Sequence, residues 1–256
     1  MEESPRPAVP PASTSAAAPV SQPVLAAPEV RAHPSFFRAV WVVLWKDLVA
    51  ELRSREMLGA MVVFALLTVV IFNFALELRM DRAALIAPGL VWVTIVFAAN
   101  LGLNRSLAVE KDRGSLDGLL LAPVDRSALY FGKMAGNLVF MIVVEIIVLP
   151  AAAIFLGLSL PRADLLLVLL LGTLGLAATG TLLSALAVHT RAREVMLPIL
   201  LLPATVPLIL SAVRASGLIL SNAPFDEIVG WLNLLLVYDV IMLAVSYMTF
   251  DYGVEE

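Results

Sequence analysis

Six stretches nearly free of charge constrain this chain more than any other feature: Met57–Leu76, Ala83–Asn104, Met134–Leu158, Leu165–Val188, Val195–Val213 and Ile228–Phe250. A helix that crosses the hydrocarbon core of a bilayer needs about 20 apolar residues. Inside that core no water can satisfy a backbone N–H or C=O, so such stretches must be helices or close into a barrel. Their continuous apolar character predicts an all-α, polytopic membrane protein with six transmembrane helices. Composition agrees: 61% of the 256 residues are hydrophobic, only 15% are charged, and the mean hydropathy is +0.94. Soluble domains carry roughly 45–50% apolar and about 25% charged residues, so a soluble enzyme is excluded. A further apolar run, Ser216–Phe225, is too short to cross and reads as an interfacial or re-entrant segment.

The flanks read differently. Residues 1–34 hold eight of the sixteen prolines among Ala and Ser, a composition that predicts a disordered, polyproline-like tail. Over 35–56, Phe37, Val40, Trp41, Leu44, Leu48 and Leu52 recur at helical spacing among charged residues. This is an amphipathic helix suited to the interface plane. The six-span region then occupies 57–250, and 251–256 form a short C-terminal tail. With the N-terminus inside, thirteen Lys and Arg fall on inner segments: Arg6, Arg31, Arg38, Lys46, Arg53, Arg55, Arg105, Lys111, Arg113, Arg126, Lys133, Arg191 and Arg193. Four, Arg79, Arg82, Arg162 and Arg214, fall on outer loops. The positive-inside rule therefore predicts that both termini are cytoplasmic.

Several chemistries drop out. There is no cysteine, which removes disulfides, thiolate metal sites and cysteine nucleophiles. The only histidines, His33 and His189, lie outside the spans, so no metal site is expected. The net charge of −4 says little, and no nucleic-acid partner is expected. The opening MEESPRP lacks the basic and apolar regions of a secretory signal peptide.

The loop 105–133 is the longest between spans. Its first part, Ser106–Arg113, is helical in propensity and charged, Gly114 and Gly118 permit tight turns, and Pro123 ends an apolar run. The segment carrying Glu110, Lys111, Arg113, Gly114, Leu116 and Gly118 thus suits docking onto a soluble partner. Neither glycine opens a GxxxxGK[ST] phosphate loop, so nucleotide hydrolysis would belong to another chain.

Within the spans stand two acids, Glu145 and Asp239. An ionised acid at a helix centre costs roughly 2.5–3.5 kcal/mol on insertion, so each should find a partner, a wet cavity or a proton. Mutual hydrogen bonding, or bonding to Asn73 or Asn100, would serve. These four polar residues read either as a transport path or as glue between helices. An intramembrane aspartyl protease would need two close carboxylates, but one acid is Glu and no glycine-flanked aspartate motif surrounds Asp239. In span five, Pro198, Pro203 and Pro207 predict a kinked or broken helix. In span four, Gly172, Gly175 and Gly180 among Thr and Ser predict close helix contacts.

Four stretches carry a resemblance. IAPGLVWV (Ile86–Val93), LAVEKDRGSLDGLLLAPVDRSALYFGK (Leu107–Lys133), LLGTLGLAATGTLLSALAV (Leu170–Val188) and LPILLLPATVPLIL (Leu197–Leu210) are similar to the haem exporter protein B family. The family supplies the membrane permease of the cytochrome c maturation ABC transporter. The likeness covers roughly 36–250 and is most specific at Ala87, Pro88, Gly89 and Trp92 and over Glu110 to Pro123. It implies a six-helix, ABC-2-type permease in the bacterial inner membrane. It also implies an ABC ATP-binding subunit carrying the ATP, a haem-handling membrane protein, a small accessory membrane protein and two permease copies per complex. The segment of Glu110, Gly114, Leu116 and Gly118 would face the ATPase. Haem would be cargo, with no cofactor bound by this chain and no catalysis of its own. Two rivals remain at this level: an ABC-2-type exporter of a lipid, drug or polysaccharide, and a proton-coupled carrier working through Glu145 and Asp239. No internal inverted repeat supports the carrier.

Overall fold

A computed structural model of the chain describes residues 35–76, 83–112, 125–156, 162–187, 190 and 192–253. The proline-rich tail, Arg113, Gly114, Leu116, Gly118 and His189 lie outside the described residues. Those described form seven helices and no strand: α1 Phe36–Ser54, α2 Glu56–Leu76, α3 Ala83–Asp112, α4 Arg126–Leu156, α5 Ala163–Ala187, α6 Arg193–Leu220 and α7 Phe225–Gly253. All but α1 are long and apolar enough to cross a membrane.

The bundle is built around α5, which packs against α3, α4, α6 and α7. Of its span, 72% is buried, against 17% for α7. The sequence explains why α5 sits at the centre. Its glycines let neighbours approach where any side chain would collide: a Cβ at Gly172 would overlap the Trp92 ring of α3, and one at Gly180 would overlap Leu103. Among lipid chains no hydrophobic force drives helices together, so close packing of this kind and interhelical hydrogen bonds must hold them.

Helices extend past the charge-free runs. Helix α3 continues through Asp112, so the charged start of the second loop is part of a 30-residue rod. Helix α4 begins at Arg126, ahead of the apolar stretch that opens at Met134. The expected re-entrant segment at 216–225 is not present. Residues 216–220 are the last turn of α6, and the chain reverses over 221–224. Asn222 takes a left-handed φ of 55° there, and the Ala223 N–H bonds the Leu218 carbonyl, which closes the helix end. Arg162 bonds the Asn222 side chain at 2.6 Å and Asp164 at 2.9 Å, tying the start of α5 to this turn.

Helix α6 also runs unbroken through its three prolines. Pro207 withholds the N–H that the Pro203 carbonyl would accept. Beside that gap, the Tyr238 hydroxyl of α7 donates to the Ala204 carbonyl at 3.0 Å. Thr205 and Ser211 bond back to Leu201 and Pro207 carbonyls of their own helix.

Candidate functional site

Two polar regions stand out: one inside the bundle and one at the end that leads to residues 113–124. Inside, polar groups radiate from α5. Thr173 donates to the Glu145 carboxylate of α4. Two residues on, and hence toward another side of the helix, Gly175 faces Asp239 of α7 so closely that a Cβ would overlap its carboxylate. Thr179 meets the Tyr238 hydroxyl at 2.9 Å. Because Tyr238 spends its one hydrogen on Ala204, Thr179 must be the donor in that pair. Asn137 of α4 donates to Thr181 at 2.9 Å, and Tyr130 to the Ala178 carbonyl at 3.0 Å. Ser184 donates to the Leu103 carbonyl of α3 at 3.0 Å.

This arrangement corrects the expected pairings of the intramembrane polar residues. Glu145 and Asp239 do not bond each other, and neither is held by Asn73 or Asn100. Glu145 has Thr173, whereas Asn100 accepts from Asn104 at 2.7 Å on its own helix. Asn73 is half-buried on α2. Asp239 is 2% exposed, and among the described residues neither carboxylate oxygen has a hydrogen-bond partner. The hydroxyl partners on α5 carry no charge and sit in a generally apolar run. They look like packing residues until the fold turns each toward its neighbour.

Three of the four conspicuous motif residues have a packing role. Ala87, Pro88 and Trp92 are buried in α3, and Gly89 has open space where a Cβ would stand. Trp92 fills the notch at Gly172 and donates its indole N–H to Ser216 of α6 at 3.0 Å. One residue thereby locks α3 to both α5 and α6.

At the end of the bundle that leads to residues 113–124, α1, α2, α3 and α4 converge on a cleft of about 290 Å³ whose lining includes Lys46, Asp47, Glu51, Glu56, Arg105 and Lys133. From the sequence, Lys133 counted only as an inner cation, and Asp47, Glu51 and Glu56 had no role in a site. Lys133 is 3% exposed and pairs with Asp47 of α1 at 2.9 Å, which also meets Lys46 at 3.0 Å. Close approach makes this pairing reachable: Gly132 sits under Val43, with no room for a Cβ. Arg55 closes α1 in the left-handed region at φ 54°. Past this elbow, Glu51 accepts the Leu58 N–H at 2.8 Å, satisfying one of the free donors that open α2. Glu56 then pairs with Arg105 of α3 at 3.0 Å, more exposed than the Asp47 pair. The last turns of α3 carry Glu110 and Lys111 and contribute Ser106 and Val109 to the cleft wall. Among the described residues no cluster of His, Asp and Glu could hold a metal.

Six apolar helices of spanning length, packed about one of their number that is lined with glycine, define a polytopic all-α membrane protein. The CcmB protein family matches residues 38–255, and the chain belongs to that family. It is 32% identical to the haem exporter protein B of Rhodobacter capsulatus over 166 residues, 64% of this chain and 76% of that one. Its identity to the protein of the same name from Pseudomonas aeruginosa is 28%, covering 70% and 81% of the two chains. With that of Paracoccus denitrificans it shares 28%, covering 68% and 80%.

Proposed function

We propose that the chain is the permease subunit of an ABC transporter that exports or delivers haem for cytochrome c maturation, and that ATP is hydrolysed on a separate subunit. Family membership across nearly all of the helical region is the observation that carries this reading. The family resemblance supports a haem-handling membrane protein and a small accessory protein as further partners, with two permease copies. The distribution of Lys and Arg supports cytoplasmic termini in the inner membrane, with the cleft on the ATPase side.

The mechanism follows from the rod-like continuity of α3. A 30-residue helix is about 45 Å long. Closure of the ATPase would push on the segment Glu110, Lys111, Arg113, Gly114, Leu116 and Gly118. A displacement of its Glu110 end travels along α3 to Trp92, and so to Gly172 of α5 and Ser216 of α6. The pairs Glu56–Arg105 and Asp47–Lys133 carry α2, α1 and α4 along with it. The intramembrane residues Asn73, Asn100, Glu145 and Asp239 would offer polar groups as the bundle changes shape. Haem, or the partner that holds it, would be released on the outer side.

Affinity purification of the tagged chain from its native membrane in mild detergent, with mass spectrometry, tests the assignment. Recovery of an ABC ATPase with a haem-handling membrane protein is expected. An ATPase without haem proteins would favour an exporter of another substrate, and no ATPase at all would overturn the reading. Gly114→Pro and Glu110→Lys variants that still insert should lose cytochrome c formation and ATPase coupling together.

A further inference from the structure

Helix α1 sorts its charges by face. Its two acids both point inward: Asp47 to Lys133 of α4, and Glu51 to the N–H of Leu58. Ala39 and Val43 are buried beside them. On the other side Phe37 is 83% exposed, Trp41 60% and Trp45 57%, and the two indoles stack with ring centroids 6.3 Å apart. Arg38, Arg53 and the elbow residue Arg55 are exposed, and among the described residues none of the three is in an ion pair. At about 100° per residue, Arg38 falls about 20° from Trp45 and Arg53 about 80° from it, and both lie about 120° or more from Asp47 and Glu51. The free surface of α1 is therefore aromatic and carries positive charge with no acid.

Only Arg55 separates this helix from α2, whose Val63, Leu67, Ile71 and Phe74 are exposed in a charge-free span. Helix α1 is thus joined directly to a helix whose exposed side chains are those of a lipid-facing span. Amphipathic indoles settle at the headgroup boundary, and arginine prefers phosphate.

We propose that this face of α1 is a binding surface for anionic phospholipid, with Phe37, Trp41 and Trp45 at the acyl boundary and Arg38, Arg53 and Arg55 on the headgroups. Cations near an anionic membrane surface each contribute about fivefold in affinity, so the surface selects charged over zwitterionic lipid. This inference does not depend on the cargo or on the ATPase.

The test places the full chain in nanodiscs of phosphatidylcholine and phosphatidylglycerol, with bromine on the acyl chains of one lipid or the other. Tryptophan emission is read at equal mole fraction of quencher. Quenching by brominated phosphatidylglycerol is expected to exceed that by brominated phosphatidylcholine several-fold. The excess should shrink at high salt, vanish in Trp41→Phe/Trp45→Phe, and be reduced in each of Arg38→Gln, Arg53→Gln and Arg55→Gln. Equal quenching by the two lipids, insensitive to salt, would overturn the proposal, as would protection of Trp41 and Trp45 from both, which would mean that protein covers the face. The salt series uses the unmodified chain, so the outcome does not depend on variants folding.

Discussion

The indole N–H of Trp92 reaches the hydroxyl of Ser216, 3.0 Å away in space and 124 residues away along the chain. The ring itself occupies the space that Gly172 leaves open. Trp92→Phe should therefore keep most of the packing and lose the bond, whereas Trp92→Ala should open a cavity costing about 3–5 kcal/mol. Interhelical hydrogen bonds in membranes average about 0.6 kcal/mol. A double-mutant cycle on Trp92→Phe and Ser216→Ala, read by reversible unfolding in detergent, should return a coupling of that size. A coupling near zero would mean that Ser216 is only filling space.

The glycines should divide sharply. Gly172→Ala, Gly175→Ala and Gly180→Ala each drive a methyl into a buried neighbour on another helix, so lower melting temperatures and reduced yields are expected. Gly59, Gly89 and Gly230 have nothing within 4 Å of the added carbon. Alanine at those three should be neutral or stabilise by up to about 1 kcal/mol, the helix-propensity difference. Gly89 is the informative case, because it lies inside the most distinctive motif. Loss of function in a well-folded Gly89→Ala variant would assign that surface to a partner.

Asp47 and Lys133 form a buried charge pair at the foot of α1. Removing one partner, as in Asp47→Leu or Lys133→Met, breaks the link between α1 and α4 and should destabilise the protein, less so for Lys133→Met because Lys46 still meets Asp47. The double variant should recover much of that loss. Cysteine cross-linking between α1 and α4 would report whether α1 detaches in the single variants. Equal cross-linking in all of them would show that apolar contacts such as Val43 on Gly132 suffice.

The two intramembrane acids should behave oppositely when replaced by leucine. Glu145→Leu strips Thr173 of its acceptor, so a destabilisation of about 1 kcal/mol is expected. Asp239→Leu removes a buried carboxylate that has no hydrogen-bond partner among the described residues, so stability should hold or rise. Thermal unfolding in detergent and cytochrome c formation in cells can be scored on the same variants. An Asp239→Leu protein that is stable but inactive would place Asp239 in the working cycle, and a strongly destabilised one would show an unrecognised structural partner.

The sequence by itself determined that six helices cross a membrane. Six charge-free runs of span length leave the backbone no other way to satisfy its polar groups within lipid. It also determined the family, because motifs such as Ala87, Pro88, Gly89 and Trp92 are local strings. It was less reliable about where helices stop. Arg214 ends an apolar run but not a helix: exposed on α6, it leaves the hydrogen-bond ladder intact to Leu220, where Ser216 can meet Trp92. Tertiary structure alone decided which groups meet. Thr173 and Gly175 are two members of one small-residue stripe, yet their different azimuths on α5 give one to Glu145 and the other to Asp239. Lys133 and Asp47 are charges on separate segments until Gly132 admits Val43 and brings α1 against α4. Apolar content is a sum along the chain, readable residue by residue. A hydrogen bond or ion pair between helices depends on rotation and register, which only the packed bundle fixes.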